Sequence, residues 1–425
     1  MKKRNWYPLD NAAKIFPAVF SEKRPYNFSF SAILSEKVVP EVLNGAVNNV
    51  LARVPTFKTK LKRGVFWYYL EENKKPFRVT EETPDYLGLI DFKENNDYLF
   101  KIHYREYKVS IVCFHALTDG NGGLAVFKQI LLEYFYLLGK KVDTDGLIKP
   151  AAMPDSYKER SDNYVSNYKK AKIKIKKPKN LAHSDGTAFD YDGFGLITAT
   201  VSTDELKAAS KGMGATLTEY LAGVYLFSFF NTYLKGANAK KKNVCILIPV
   251  DMRKKYESES LRNFSLFVRV QREYTEGVTL EECVAAAVEQ VRSGCDEKVL
   301  DSINHFNVSV EKNVFLKIVP LFLKDIVLRI GYYFEGENLQ SGDFSNVGLV
   351  ELPKDLAEYV KDVNFSISAS HTSKQLVAAV GYNGKINITF TRNFVENAFE
   401  RAFISVLAES GMKVRVKSNY WEKKL

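Results

Sequence analysis

Cysteine and histidine are scarce in this 425-residue chain, which has four of the first and five of the second. The cysteines, Cys113, Cys245, Cys283 and Cys295, stand far apart without CxxC spacing, so neither a disulfide framework nor a zinc site is indicated. No metal is expected, and a reducing cytoplasm fits this usage. A long uncharged apolar run is also missing. The nearest, Val314 to Phe334, is broken by Lys317, Lys324, Asp325 and Arg329, so no transmembrane segment is expected. The opening MKKRNWYPLD is basic but has no apolar stretch behind it, unlike a secretory signal. Neither GxGxxG nor GxxxxGKS/T occurs to seat a nucleotide.

What is present is the mixture of a soluble globular protein, 46% hydrophobic and 26% charged. The length suggests two units of about 200 residues or one composite domain. A net charge of +11 raises the question of partners, although each lysine cluster alone reads first as a solvated linker or loop. The lysines gather at Tyr168 to Lys179 and Lys240 to Lys242, without the aromatic interleaving or helix-turn-helix pattern of a nucleic-acid binder. A phosphorylated small molecule or an acidic carrier protein suits them equally.

Periodicity then places the elements. Tyr26 to Leu34 alternates as a strand, Pro40 to Val54 has helical spacing, and Phe57 to Leu70 reads as two strands around Arg63 and Gly64. Tyr98 to Tyr104 and Lys108 to Phe114 form a hairpin that delivers His115. Asn121 is the expected cap of the helix that follows, and Gly139 its stop. From Pro150 to about Gly193 the chain is polar and basic, which divides it into 1–165, a basic linker 166–193, and 194–425. In the second part, Thr216 with Glu219 forms a capping-box pattern and Asn383-Gly384 a hairpin turn. Gly342 to Leu352 reads as a turn leading into a strand. The stretch around Pro320 reads as an amphipathic helix pair whose apolar faces close a core or a substrate pocket. Contact with a membrane surface is the other reading.

The chemistry is expected at Val109 to Gly123, VSIVCFHALTDGNGG. A strand ends at His115, a turn follows, and none of the residues between His115 and Asp119 looks chosen for a core. Neutral imidazole near pH 7 can take a proton from a hydroxyl and hand it to a leaving group. Chance would produce about 0.02 His-x-x-x-Asp-Gly matches here, and His103, His183, His305 and His371 do not fit the pattern.

HALTDG at His115 to Gly120 resembles the HxxxDG motif of the CoA-dependent acyltransferase superfamily. That superfamily includes chloramphenicol acetyltransferase, condensation domains, plant acyltransferases and alcohol acetyltransferases. The flanking IVCFHALTDGNGG is most similar to the alcohol acetyltransferases. PVDMR at Pro249 to Arg253, Asn263-Phe264, FSNVG at Phe344 to Gly348 and RVPTF at Arg53 to Phe57 occur in the superfamily's order.

The resemblance implies an α+β chain of two chloramphenicol acetyltransferase-like subdomains, each a mixed sheet flanked by helices, with a tunnel between them. It implies acyl-CoA as co-substrate, an alcohol as acceptor, His115 as general base, and Asp119 bracing the loop through an Arg, with Arg253 the candidate. Gly120 would let backbone approach the substrate. Plant members carry DFGWG where this chain reads DFSNVG, so the oxyanion donor stays open among Ser345, Asn346 and the Ser366, Ser368 and Ser370 face. A condensation-type catalyst with a carrier-bound donor and a non-catalytic binding protein of the same fold are the alternatives.

Overall fold

In the computed structural model, which describes residues 5–419 apart from 172, 174–175, 190–192, 238, 336 and 371–372, the strand that delivers His115 lies inside a sheet. Lys108–Phe114 pairs antiparallel with Asn27–Leu34 on one side and Phe100–Arg105 on the other. Such a strand is covered on both faces and needs an almost unbroken apolar run. Val109 to Phe114 is buried throughout.

The full order of this five-stranded sheet is Val360–Ile367, Asn27–Leu34, Lys108–Phe114, Phe100–Arg105, Thr80–Glu81. Its first strand comes from late in the chain and sets Phe365 opposite Phe30. A seven-stranded sheet runs Ser265–Glu273, Asn243–Asp251, Gly342–Leu349, Gln375–Tyr382, Lys385–Arg392, Gly195–Ser202, Arg415–Ser418. Trp6–Pro8, Tyr68–Glu72 and Thr59–Arg63 make a small third sheet.

Helices Pro40–Arg53 and Gly120–Leu137 pack together over the first sheet. Leu217–Phe229, Leu280–Gly294 and Ala398–Glu409 cover the second. One apolar cluster joins Phe28, Ile111 and Phe127 to Ala378 and Val380, so the two sheets share a core. This is the expected mixed α/β class, with sheets flanked by helices.

Local chemistry explains several boundaries. Thr216 and Glu219 form a reciprocal capping box, and so do Thr279 and Glu282. Asn383 and Gly384 both have positive φ, 46° and 72°, as a two-residue hairpin turn requires.

Three expectations are corrected. The Gly120–Leu137 helix is capped by Asp119, whose carboxylate accepts from the Gly122 N–H, and not by Asn121. Gly342–Leu349 is itself a strand, because it fills the gap between Asn243–Asp251 and Gln375–Tyr382. Around Pro320 the apolar side chains face outward. Phe315, Ile318, Phe322, Val327 and Ile330 are exposed while Lys324 and Asp325 are buried, because the charged pair is bonded to the Thr59–Arg63 and Tyr68–Glu72 hairpin.

Candidate active site

His115 follows the buried strand directly, and its N–H donates to the Tyr26 carbonyl at 2.9 Å. The ring is partly buried. It stacks on Phe16 at 4.7 Å between centroids and meets Phe28 edge-on at 5.6 Å. A third group fixes its rotation. His115 Nδ1 lies 3.0 Å from Oδ1 of Asn263, a residue 148 positions away in the loop between Asn243–Asp251 and Ser265–Glu273.

The Asn263 amide has only one consistent orientation. Its Nδ2 donates to Asp10 Oδ2 at 3.1 Å and to the His115 carbonyl at 3.1 Å, both acceptors. Oδ1 is therefore what faces the imidazole, and Nδ1 must carry the proton that it accepts. In the neutral ring Nε2 then keeps its lone pair, and no described residue hydrogen-bonds to it. The sequence thus builds the tautomer that a general base needs.

Asp10 anchors this chain from beneath. It is fully buried, accepts from Ala13 N–H at 2.8 Å, and lies 3.6 Å from Arg262 Nε. Burial pushes its carboxyl above the ordinary range against the pull of Arg262. Burial and the neighbouring Asp10 likewise push Asp162 up to about 6.

Asp119 turns the other way. Arg253 forks onto it, Nη2 to Oδ1 at 2.8 Å and Nη1 to Oδ2 at 3.1 Å, and the Phe264 N–H adds a bond of 2.7 Å. Burial alone would raise this carboxyl. The Arg253 charge and the N–H groups of Phe264 and Gly122 outweigh it and hold Asp119 below the usual carboxylate range. Arg253 also binds Asp251 at 2.8 Å and the Ser260 carbonyl at 2.8 Å, so one guanidinium joins the DG turn to the loop that carries Asn263.

Ala116, Leu117 and Thr118 are buried, contrary to the expectation that nothing between His115 and Asp119 serves a core. The turn folds back under the second half, where Thr118 Oγ1 donates to the Leu261 carbonyl at 2.7 Å. This explains the glycines. A Cβ on Gly122 would lie 2.5 Å from that carbonyl oxygen, and one on Gly123 would lie 2.7 Å from the Phe28 ring. At Gly120 it would make only ordinary contact with Val347 at 3.5 Å.

The serine and asparagine candidates separate by face. Ser345 shares a strand side with Val347, which adjoins Gly120. Asn346 points to the opposite side and donates to Thr218 Oγ1 at 3.0 Å. Ser366 lies across from Ser29, on the sheet face away from Phe28, Phe365 and the His115 ring. Ser368 Oγ accepts from the Asn27 N–H at 2.9 Å, and Ser370 Oγ accepts from the Ser373 N–H at 2.9 Å. Ser345 is thus the candidate on the strand side that Val347 turns toward Gly120, while Asn346, Ser368 and Ser370 are each held in hydrogen bonds of their own. His371 lies outside the described residues.

Cys113 is fully buried, and burial pushes its thiol far up, so it offers no thiolate. Among the described residues no three His, Cys, Asp or Glu side chains gather as a metal site, and no helix is long and apolar enough to cross a membrane.

No family model and no curated protein matches the sequence. Solved structures do match. Polyketide synthase associated protein 5 from Mycobacterium tuberculosis aligns with a TM-score of 0.58 at 15% identity, over 94% of this chain and 97% of that one. The trichothecene 15-O-acetyltransferase of Fusarium sporotrichioides aligns with a TM-score of 0.57 at 11% identity, over 96% and 95%. A starter condensation domain of rhizomide synthetase, solved in complex with C8-CoA, gives a TM-score of 0.59 at 11% identity, over 95% and 94%. The chain shares the fold of these structures. At these identities the likeness establishes architecture, and the chemistry has to be argued from this chain's own residues.

Two residues of the site were not singled out in the sequence. In the sequence Asn263 stands only in an Asn-Phe pair, and Asp10 belongs to no motif. No spacing rule links positions 10, 115 and 263. The nearest sequence signal is that Asn263-Phe264 follows PVDMR, whose Arg253 the structure returns to the DG turn.

Proposed function

We propose that this protein is an acyl-CoA-dependent O-acyltransferase in which His115 is the general base. The observation that carries the reading is the tautomer: Nδ1–H is held by Asn263 Oδ1, and Nε2 is left as the acceptor. Nε2 takes the proton of an acceptor hydroxyl as its oxygen attacks the thioester carbonyl. The tetrahedral intermediate collapses, the C–S bond breaks, and the departing thiolate takes the proton back from Nε2. No covalent acyl-enzyme is required.

Asp119 takes no part in proton transfer. Doubly bonded to Arg253 and held ionised, it keeps the loop in place. Ser345 is the oxyanion donor candidate favoured by its side of the strand. Acceptor and thioester meet between the two sheets, and the +11 charge suits the phosphates of coenzyme A. The structural relatives supply precedent, since one is an O-acetyltransferase and another was solved with C8-CoA.

The test is to give the purified protein acetyl-CoA and longer acyl-CoA esters with a panel of alcohols and to follow free thiol and ester together. Stoichiometric ester and thiol are expected. Thiol release without ester, or neither product, would refute the assignment.

A further inference from the structure

The Leu321–Glu335 helix is built inside out. Two of its charged residues, Lys324 and Asp325, are 2% and 6% exposed, while Phe322, Val327 and Ile330 on the outer side are 58%, 59% and 56% exposed. This orientation is held by specific bonds. Lys324 Nζ donates to the Phe66 carbonyl at 2.7 Å and sits 3.6 Å from the centre of the Trp67 ring. Asp325 accepts from Tyr68 Oη at 3.0 Å and pairs with Arg63 at 3.3 Å. Rotating the helix to bury its apolar side would break all four contacts and strand two charges. The apolar face is therefore a designed outside, and it continues through Phe315 and Ile318 of the preceding Val314–Ile318 helix to Phe66 at the hairpin tip.

Among the described side chains of residues 306–333 the exposed charges have one sign. Between 306 and 333 the only acidic residues are Glu311 and Asp325. Glu311 is paired with Lys14, and Asp325 points inward. The exposed ionic side chains are Lys312, Lys317 and Arg329, all cationic. A contiguous exposed apolar surface marks an interaction site, and basic residues flanking aromatic and aliphatic ones suit the headgroup region of an anionic membrane. A second copy of the chain fits poorly, because a two-fold contact would press together two copies of a face whose exposed described charges are cationic. The apolar side chains also project separately from two helices and a hairpin tip. A bilayer accepts such projections without a shaped counterpart.

We propose that the Val314–Ile318 and Leu321–Glu335 helices, with the Phe66 hairpin tip, form a docking surface for an anionic phospholipid bilayer. The proposal stands independently of acyl transfer, but it deepens that reading if both hold. A cavity of about 340 Å³ walled by Ala18, Phe20, Arg24, Arg329 and Tyr332 adjoins the same face. Tyr332 meets Tyr26 at 5.9 Å, Tyr26 meets Phe16 at 5.5 Å, and Phe16 stacks on His115. Docking would set this cavity at the lipid boundary, so the acceptor class implied is a membrane-dissolved, lipophilic alcohol.

The experiment is flotation of the full chain with phosphatidylcholine vesicles, with and without phosphatidylserine, alongside sedimentation velocity without lipid. The wild type is expected to float with the phosphatidylserine vesicles and to be released by added salt. The Phe315→Glu/Phe322→Glu variant should lose at least about tenfold of the bound fraction, and Ile318→Ser part of it, both with unchanged thermal melts. Three results would overturn the proposal: no flotation of the wild type, equal flotation of the variants, or a dimer that the same substitutions disperse. So would capture of an acidic carrier protein through this face without vesicle binding. Thiol release from acyl-CoA with a water-soluble alcohol, measured on the same samples, reads the active site separately. Flotation without turnover would remove the acyltransferase reading and leave the docking surface standing.

Discussion

The turn after His115 and the helix after Pro320 both bury charged residues, yet they present opposite surfaces. At the turn, Asp119 and Arg253 are locked in place so that a polar imidazole can stand at the end of a central strand. At the helix, Lys324 and Asp325 are locked inside so that apolar side chains can stand in the open. Buried ionic contacts contribute little net stability, but removing one partner is costly because the other is left uncompensated. In both regions their effect is to fix orientation.

The largest expected effect is at the turn. Asp119→Ala leaves the Arg253 guanidinium without its main partner and should cost about 3–5 kcal/mol in urea unfolding. The sign of the pH dependence follows from the depressed carboxyl. Its contribution is complete above the ordinary carboxylate range and is lost as pH falls through its own lower value, so the variant should show a flatter acid limb. A loss below 1 kcal/mol would mean that the pair braces nothing.

Lys324→Ala is expected to cost less, about 1–3 kcal/mol, since it removes one hydrogen bond and one cation–π contact. Fluorescence of Trp67, against which Lys324 sits, should report the change locally. If the helix is free to turn over instead, the variant will be as stable as the wild type.

Asp162→Asn tests the buried acids under the site. A carboxyl raised to about 6 stabilises the fold below its unfolded value near 4 and loses that contribution as pH rises through 6. The variant should therefore gain stability relative to the wild type between about pH 4 and 7. An unchanged pH profile would show that Asp162 is not held protonated. The smallest effect is expected on the outer helix face, where Phe322→Ser should alter stability by no more than about 0.5 kcal/mol. A loss of 2 kcal/mol or more, roughly that of burying such a side chain, would show that the face packs against protein.

Much of the fold was legible because it is written locally. Val109 to Phe114 reads as a covered strand, Asn383-Gly384 as a hairpin, and Thr216 with Glu219 as a helix start, and each forms where its chemistry places it. HxxxDG likewise marked the turn. What escaped depends on long-range geometry. Periodicity shows which residues share a side of the Leu321–Glu335 helix but not which way that side points, and the direction was decided by Phe66 and Tyr68, more than 250 positions earlier. Asn263 and Asp10 meet His115 only through folding. Asn121 looked like the helix cap because it precedes the apolar stripe, but the DG turn begins the helix earlier and Asp119 serves as cap and ion-pair partner together.

If His115 Nε2 removes the acceptor proton and Asn263 only positions the ring, the decisive measurement is steady-state thiol and ester formation by His115→Ala and Asn263→Ala against wild type at matched folding. His115→Ala should lower kcat by about 10²–10⁴-fold. Asn263→Ala should lower it less, with KM for the acyl-CoA unchanged. Wild-type turnover by His115→Ala would contradict the account outright.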